Sequence, residues 1–167
     1  MKSVAVLALA AVLFYGVKLP EGYRKWTLIS VASVGGGVND LRAKLGNDVA
    51  MKAYREAKLP FPDGAIIARL AWNAVTSEEN NNAFRPLLER ALGPDGTQKT
   101  LAESFVAGSP TNVQFMIKDS TRYASTGGWG FAQFTDGKPD HGPVLNTCFS
   151  CHSPAKDRDY VFTRYSR

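Results

Sequence analysis

Cys148-Phe149-Ser150-Cys151-His152 places two thiols three residues apart with an imidazole immediately after them. That spacing is what covalent attachment of a c-type haem requires: each sulfur forms a thioether to one vinyl group, and the adjacent histidine is held beneath the iron as its proximal ligand. The chain has only two cysteines and two histidines, so the meeting of three of them in five residues is informative. A redox disulfide of this spacing would follow a strand of a βαβ unit, and no such alternation precedes it. A structural zinc site takes its four ligands as two closely spaced pairs, and outside the pentapeptide only the single His141 remains, with no second pair. An inert buried pair of cysteines explains neither the spacing nor the histidine.

Outward from the motif, 167 residues at 44% hydrophobic and 21% charged are enough for one globular domain with a real core. The charge of +5 comes from scattered residues rather than basic runs, so nucleic acid is not implied. Two haem propionates would reduce that surplus, leaving a weak pull on an anionic partner. Met1-Lys2 followed by an uncharged run from Ser3 to Val17 has the basic start and apolar centre of a secretory leader. Residues 1–18 are therefore expected to be a signal peptide or N-terminal anchor, and 19–167 a haem domain exported to the bacterial periplasm. Leu13, Phe14 and Tyr15 stand where small residues would mark cleavage, which keeps anchoring to the membrane as the alternative, although the run is short for a span of about 20 residues.

Along the chain, Leu19 to Tyr23 reads as an extended lead-in and Trp26 to Ser33 as a first strand stopped by Gly35-Gly36-Gly37. Asn47 caps an expected helix over Asp48 to Lys58 whose apolar face is Val49, Ala50, Ala53, Tyr54 and Ala57, with Met51 directed to the surface or the edge of the core. Pro60 to Gly64 is a turn leading to a strand over Ala65 to Val75, in which Arg69 is the one charge. A buried arginine needs a partner: an anion, either a haem propionate or a ligand in the distal pocket, or else an internal salt bridge, unless the residue sits at an edge. Residues 76–82 read as polar loop, Phe84 to Leu92 as a short helix stopped by Gly93-Pro94, and Thr100 to Phe105 as a further turn before Gly108-Ser109-Pro110. Asn112 to Lys118 alternates as a strand, with Val113, Phe115 and Ile117 on one side and Gln114, Met116 and Lys118 on the other. Trp129 to Phe134 is another strand, and Asp159 to Arg164 a last β-prone run beside the haem loop.

In order, Leu19-Pro20-Glu21-Gly22-Tyr23-Arg24-Lys25-Trp26, Gly46-Asn47-Asp48, Phe61-Pro62-Asp63-Gly64, Phe115-Met116-Ile117-Lys118-Asp119, Gly127-Gly128-Trp129-Gly130-Phe131, the CxxCH pentapeptide and Asp159-Tyr160-Val161-Phe162-Thr163 resemble the cytochrome P460 family over nearly all of the chain past the leader. The resemblance implies an α+β fold, mainly antiparallel sheet with a few helices packed around one c-type haem, and often a homodimer. It implies either hydroxylamine oxidation or, as in the β-type cytochromes c′, binding of nitric oxide or carbon monoxide. Cys148 and Cys151 match the attachment cysteines and His152 the iron ligand. The oxidising members cross-link a lysine to the haem, expected on the strand after the Phe-Pro-Asp-Gly turn, where this chain has Arg69 and no lysine. Their distal carboxylate is expected on the Phe-Met-Ile-Lys strand, where Gln114 stands; glutamine donates hydrogen bonds but is not a general base.

The leading expectation is a mono-haem cytochrome, five-coordinate through His152, whose open position takes a small gas or nitrogen-oxide ligand. Arg69, Gln114, Phe61 and Phe115 are the candidate distal groups, the two phenylalanines also being natural core residues. The alternatives are an electron carrier serving a redox partner protein, its sixth ligand Met116 or His141, and a hydroxylamine-oxidising enzyme in which a lysine from another strand reaches the porphyrin.

Overall fold

The computed structural model describes residues 18–141 and 147–166, so the leader reading for residues 1–17 lies outside it. Six strands form one antiparallel sheet in sequence order: β1 (Thr27–Val34), β2 (Asp40–Gly46), β3 (Ile66–Val75), β4 (Val106–Lys118), β5 (Trp129–Thr135) and β6 (Lys138–Pro139). The helices are α1 (Asp48–Arg55), α2 (Glu78–Ala102) and α3 (Cys148–His152). This is the mixed, sheet-dominated class expected from the sequence.

Two compact units divide the described chain: 18–32, Arg42–Leu70 and 112–166 form one, and Ser33–Leu41 with Ala71–Thr111 the other. The first has an apolar core of Ile29, Met51, Phe61, Ile67, Met116, Trp129, Phe131 and Val161. Asn47 ties two elements of this unit together. The Asn47 side chain accepts from Ala50 N at 3.0 Å, capping α1, accepts also from Ile66 N at 3.0 Å, and donates to Gly64 O at 2.8 Å. One residue thereby joins the start of α1 to the start of β3.

β4 and β5 pair with Gln114 opposite Gln133 and Met116 opposite Phe131. Side chains alternate across a strand, so Gln114, Met116, Phe131 and Gln133 share one face. Phe115 lies on the other, its ring 5.3 Å from Tyr23, 6.5 Å from Trp26 and 5.8 Å from Phe134 in edge-on contacts.

Several expectations need correction. Met51 is fully buried, not at the surface, because Gly46 at the end of β2 leaves room for it: a Cβ there would stand 2.9 Å from the Met51 sulfur. Burial of that side chain contributes about 1.5–3 kcal/mol. The polar stretch 76–82 is not loop throughout, since Ser77 accepts from Asn80 N at 3.2 Å and starts α2 at Glu78. Gly93 does break the helix, with φ 70° and ψ 177°, but α2 resumes beyond it and runs to Ala102. Gly108-Ser109-Pro110 lies inside β4 rather than before it. Residues 161–166 have no regular structure, and Asp159 and Tyr160 both take left-handed φ, 53° and 64°, so the expected last strand is a sharp turn followed by an irregular tail. Among the described residues no helix is long and apolar enough to cross a membrane.

Candidate functional site

α3 is five residues long, so Cys148, Cys151 and His152, at positions i, i+3 and i+4, project from a single turn. Cys148 and His152 line a cavity of about 320 Å³, while Cys151 is exposed. No disulfide joins the two cysteines. Burial, with a further push from Cys151, raises the Cys148 thiol above its ordinary value, which keeps the group protonated at neutral pH.

The imidazole is fixed on three sides. Phe131 and Phe162 lie 5.2 and 5.3 Å from it, ring centre to ring centre. His152 Nδ1 is 2.7 Å from Tyr160 O. A carbonyl oxygen only accepts, so the proton is on Nδ1 and the Nε2 lone pair is left for a metal.

The remaining cavity wall comes from Phe162 and Thr163 of the tail and from four adjacent strands: Arg42 and Lys44 of β2, Ile67 and Arg69 of β3, Gln114 and Met116 of β4, and Phe131 and Ala132 of β5. A chain of polar contacts crosses this face. Arg69 Nη1 donates to Asn112 Oδ1 at 3.1 Å and Gln114 Oε1 at 2.9 Å, Gln114 Nε2 donates to Gln133 Oε1 at 2.6 Å, and Gln133 Nε2 donates to Asp140 Oδ2 at 2.7 Å. A guanidinium at one end and a carboxylate at the other fix the direction of both intervening amides.

Of the residues singled out from the sequence, Arg69, Gln114, Cys148 and His152 thus meet around one cavity. Phe115 borders it, but its ring joins the aromatic cluster on the opposite face of the sheet. Phe61 lies elsewhere in the core, 4.9 Å from Tyr54 and 5.7 Å from Trp129. Met116 is at the cavity, whereas His141 is exposed and not part of it. Sequence reasoning missed Arg42, Lys44, Phe131, Phe162 and the Tyr160 carbonyl. Arg42 and Lys44 alternate with Leu41, Ala43 and Leu45, a period-two pattern that marks a strand once charges are allowed on its inner face.

The donor set suits a haem: two thiols on one helical turn, an imidazole oriented through Nδ1, apolar walls, and cations from β2 and β3 complementary to propionates. Such a site on a sheet-based α+β domain fits a c-type haem cytochrome. The chain belongs to the cytochrome P460 family, whose sequence model, described as Cytochrome P460, matches residues 20–163; membership implies a c-type haem. None of the curated proteins compared with the chain matches it.

Proposed function

We propose that this protein is an exported mono-haem cytochrome, its haem tied covalently to Cys148 and Cys151, with a five-coordinate iron that binds a small ligand such as nitric oxide. The observation that carries the reading is the His152 Nδ1 to Tyr160 O contact of 2.7 Å, which occupies one ring nitrogen and leaves the other, on a side chain that lines the cavity, to serve as the iron ligand. When bound, the haem supplies an iron centre able to take a diatomic ligand. The chain does the rest: Phe131 and Phe162 hold the imidazole plane, Ile67, Met116 and Ala132 keep the cavity apolar, and Arg42, Lys44 and Arg69 offer positive charge to propionates or to an anionic ligand. Gln114 has its carbonyl committed to Arg69 and one N–H to Gln133, leaving its second N–H as a donor.

Two further readings each have one observation in their favour. Met116 lines the same cavity as His152, as an axial ligand of an electron carrier would. Its membership of the packed core, beside Phe131 and Trp129, supports gap-filling instead. Lys44, also at the cavity, supplies the lysine that hydroxylamine oxidation by a cross-linked haem would need.

The test is optical. Matured ferrous protein is expected to be high-spin and to change spectrum at once with carbon monoxide or nitric oxide, and Met116→Leu is expected to leave that response intact. A low-spin spectrum that ignores both gases until Met116 is replaced would establish the carrier. A haem-bearing fragment that includes the Lys44 peptide would establish the cross-link, and colourless protein would end all three readings.

A further inference from the structure

Lys118 and Asp159, neither of which lines the haem cavity, form a buried ion pair. Both are under 10% exposed: 6% for Lys118 and 9% for Asp159. Lys118 Nζ lies 2.7 and 2.9 Å from the two Asp159 carboxylate oxygens and 3.0 Å from Gly127 O, so its three N–H groups are all matched. It also stands 5.0 Å from the centre of the Trp129 ring. The rest of Asp159 is held equally firmly. Its Oδ2 accepts from Phe61 N at 2.8 Å, its carbonyl accepts from Trp129 Nε1 at 2.8 Å, and its N–H donates to Lys156 O at 3.0 Å.

These contacts surround a costly piece of backbone. Asp159 and Tyr160 are consecutive non-glycine residues with left-handed φ, a conformation disfavoured by the Cβ atom and retained only where neighbours over-determine it. Tyr160 is seated on Gly127, where a Cβ would fall 2.1 Å from the tyrosine ring, and its N–H donates to Ala155 O at 2.8 Å. The turn brings the Tyr160 carbonyl back to His152, eight residues earlier. A buried ion pair is a poor device for stability alone, because desolvation offsets most of its attraction. Here it fastens the strand end at Lys118 to the turn whose next carbonyl meets the imidazole.

We propose that Lys118 and Asp159 are positioning residues for the proximal ligand: the pair holds the Tyr160 carbonyl against His152 Nδ1 and so sets how strongly that imidazole binds the haem iron. This inference rests on the reading of His152 as iron ligand. A firm acceptor on Nδ1–H makes Nε2 a stronger donor and favours ferric iron; a loosened one weakens the bond.

The test uses the matured holoprotein with Lys118→Met/Asp159→Asn, which removes both charges and strands neither, and Trp129→Phe, which keeps an aromatic ring in the core but removes the donor to Asp159 O together with part of the buried ring that Lys118 faces. Resonance Raman spectroscopy of the ferrous state and redox titration are compared with Lys52→Met, which touches only an exposed pair with Glu56. The double variant is expected to lower the iron–histidine stretching frequency and shift the oxidation equilibrium about tenfold towards the reduced form, about 59 mV for one electron. Trp129→Phe is expected to do the same to a smaller extent. Variants that fold, carry haem and match Lys52→Met in both measurements overturn the proposal, and Trp129→Phe alone decides if the double variant does not fold. Wild-type ferrous protein showing no iron–histidine stretch would instead be a failure of the His152 assignment.

Discussion

At the scale of single residues, the polar groups of this protein are placed by what surrounds them. Tyr54 packs edge-on against Phe61 and donates its hydroxyl to Thr163 O at 3.2 Å. Burial raises its phenol well above the ordinary 10.0, since the anion would be poorly solvated there. The raised value has a definite consequence for stability. Below pH 10.0 the tyrosine is neutral in both states and its contribution is intact; above it the unfolded chain ionises first, and stability falls by about 1.4 kcal/mol per pH unit. Tyr54→Phe forgoes the hydrogen bond, at a cost of about 1 kcal/mol near neutral pH. Denaturant titrations are therefore expected to show the variant weaker at pH 7, with the gap closing roughly one unit above the ordinary phenol value and then reversing. A gap constant from pH 7 to 11 would show that the phenol ionises freely in the folded protein. Asp63 is the complementary case at the surface, its carboxylate held below its usual value by hydrogen bonds from the Ser120 hydroxyl and backbone N–H.

At the scale of elements, Asn47 is where a substitution is expected to act beyond its own side chain. Asn47→Ala removes the α1 cap and leaves Ile66 N without its acceptor, so a loss of about 2–3 kcal/mol is expected. In a domain of this size that lowers the melting temperature by roughly 5–10 °C. Asn47→Asp keeps both acceptor roles and places negative charge at the helix start, and is expected to lose less. Equal losses would mean that the Nδ2 bond to Gly64 O dominates. This cap was legible in the sequence, as were the β1 strand and the alternation of 112–118, because composition and local period mark them even though Leu28 and Val31 are exposed and Lys118 is buried. β2 was not legible, and the reason is physical: Arg42 and Lys44 occupy the inward face, against the usual rule that apolar residues point in, because that face borders the cavity. The misplacement of Met51 follows from the same omission, since the pocket that receives it is made by Gly46. The Asp159-Tyr160 turn could not be read either: neither residue is glycine, and only tertiary contacts hold their left-handed backbone.

At the scale of the molecule, one sheet face provides apolar surface and positive charge to a single cavity, while one helical turn brings the thiols and the imidazole. Arg42, Lys44 and Arg69 each have another interaction within the protein, but all three line that cavity. A haem there would cover the apolar lining and set two propionates against three cations. Cys148→Ala/Cys151→Ala, freed of haem, removes both contributions at once. It is expected to melt below the loaded wild type, since a group bound only by the folded state stabilises it. The two contributions separate by salt. The Debye length shrinks from about 10 Å at 0.1 M to about 3 Å at 1 M, so repulsion among the wall cations is screened while the exposed apolar lining is not. The gap in melting temperature between loaded and haem-free protein is therefore expected to narrow on adding sodium chloride, without closing. A gap indifferent to salt would remove the β2 and β3 cations from any role in holding the propionates, and no gap at all would mean that the cavity is complete without its haem.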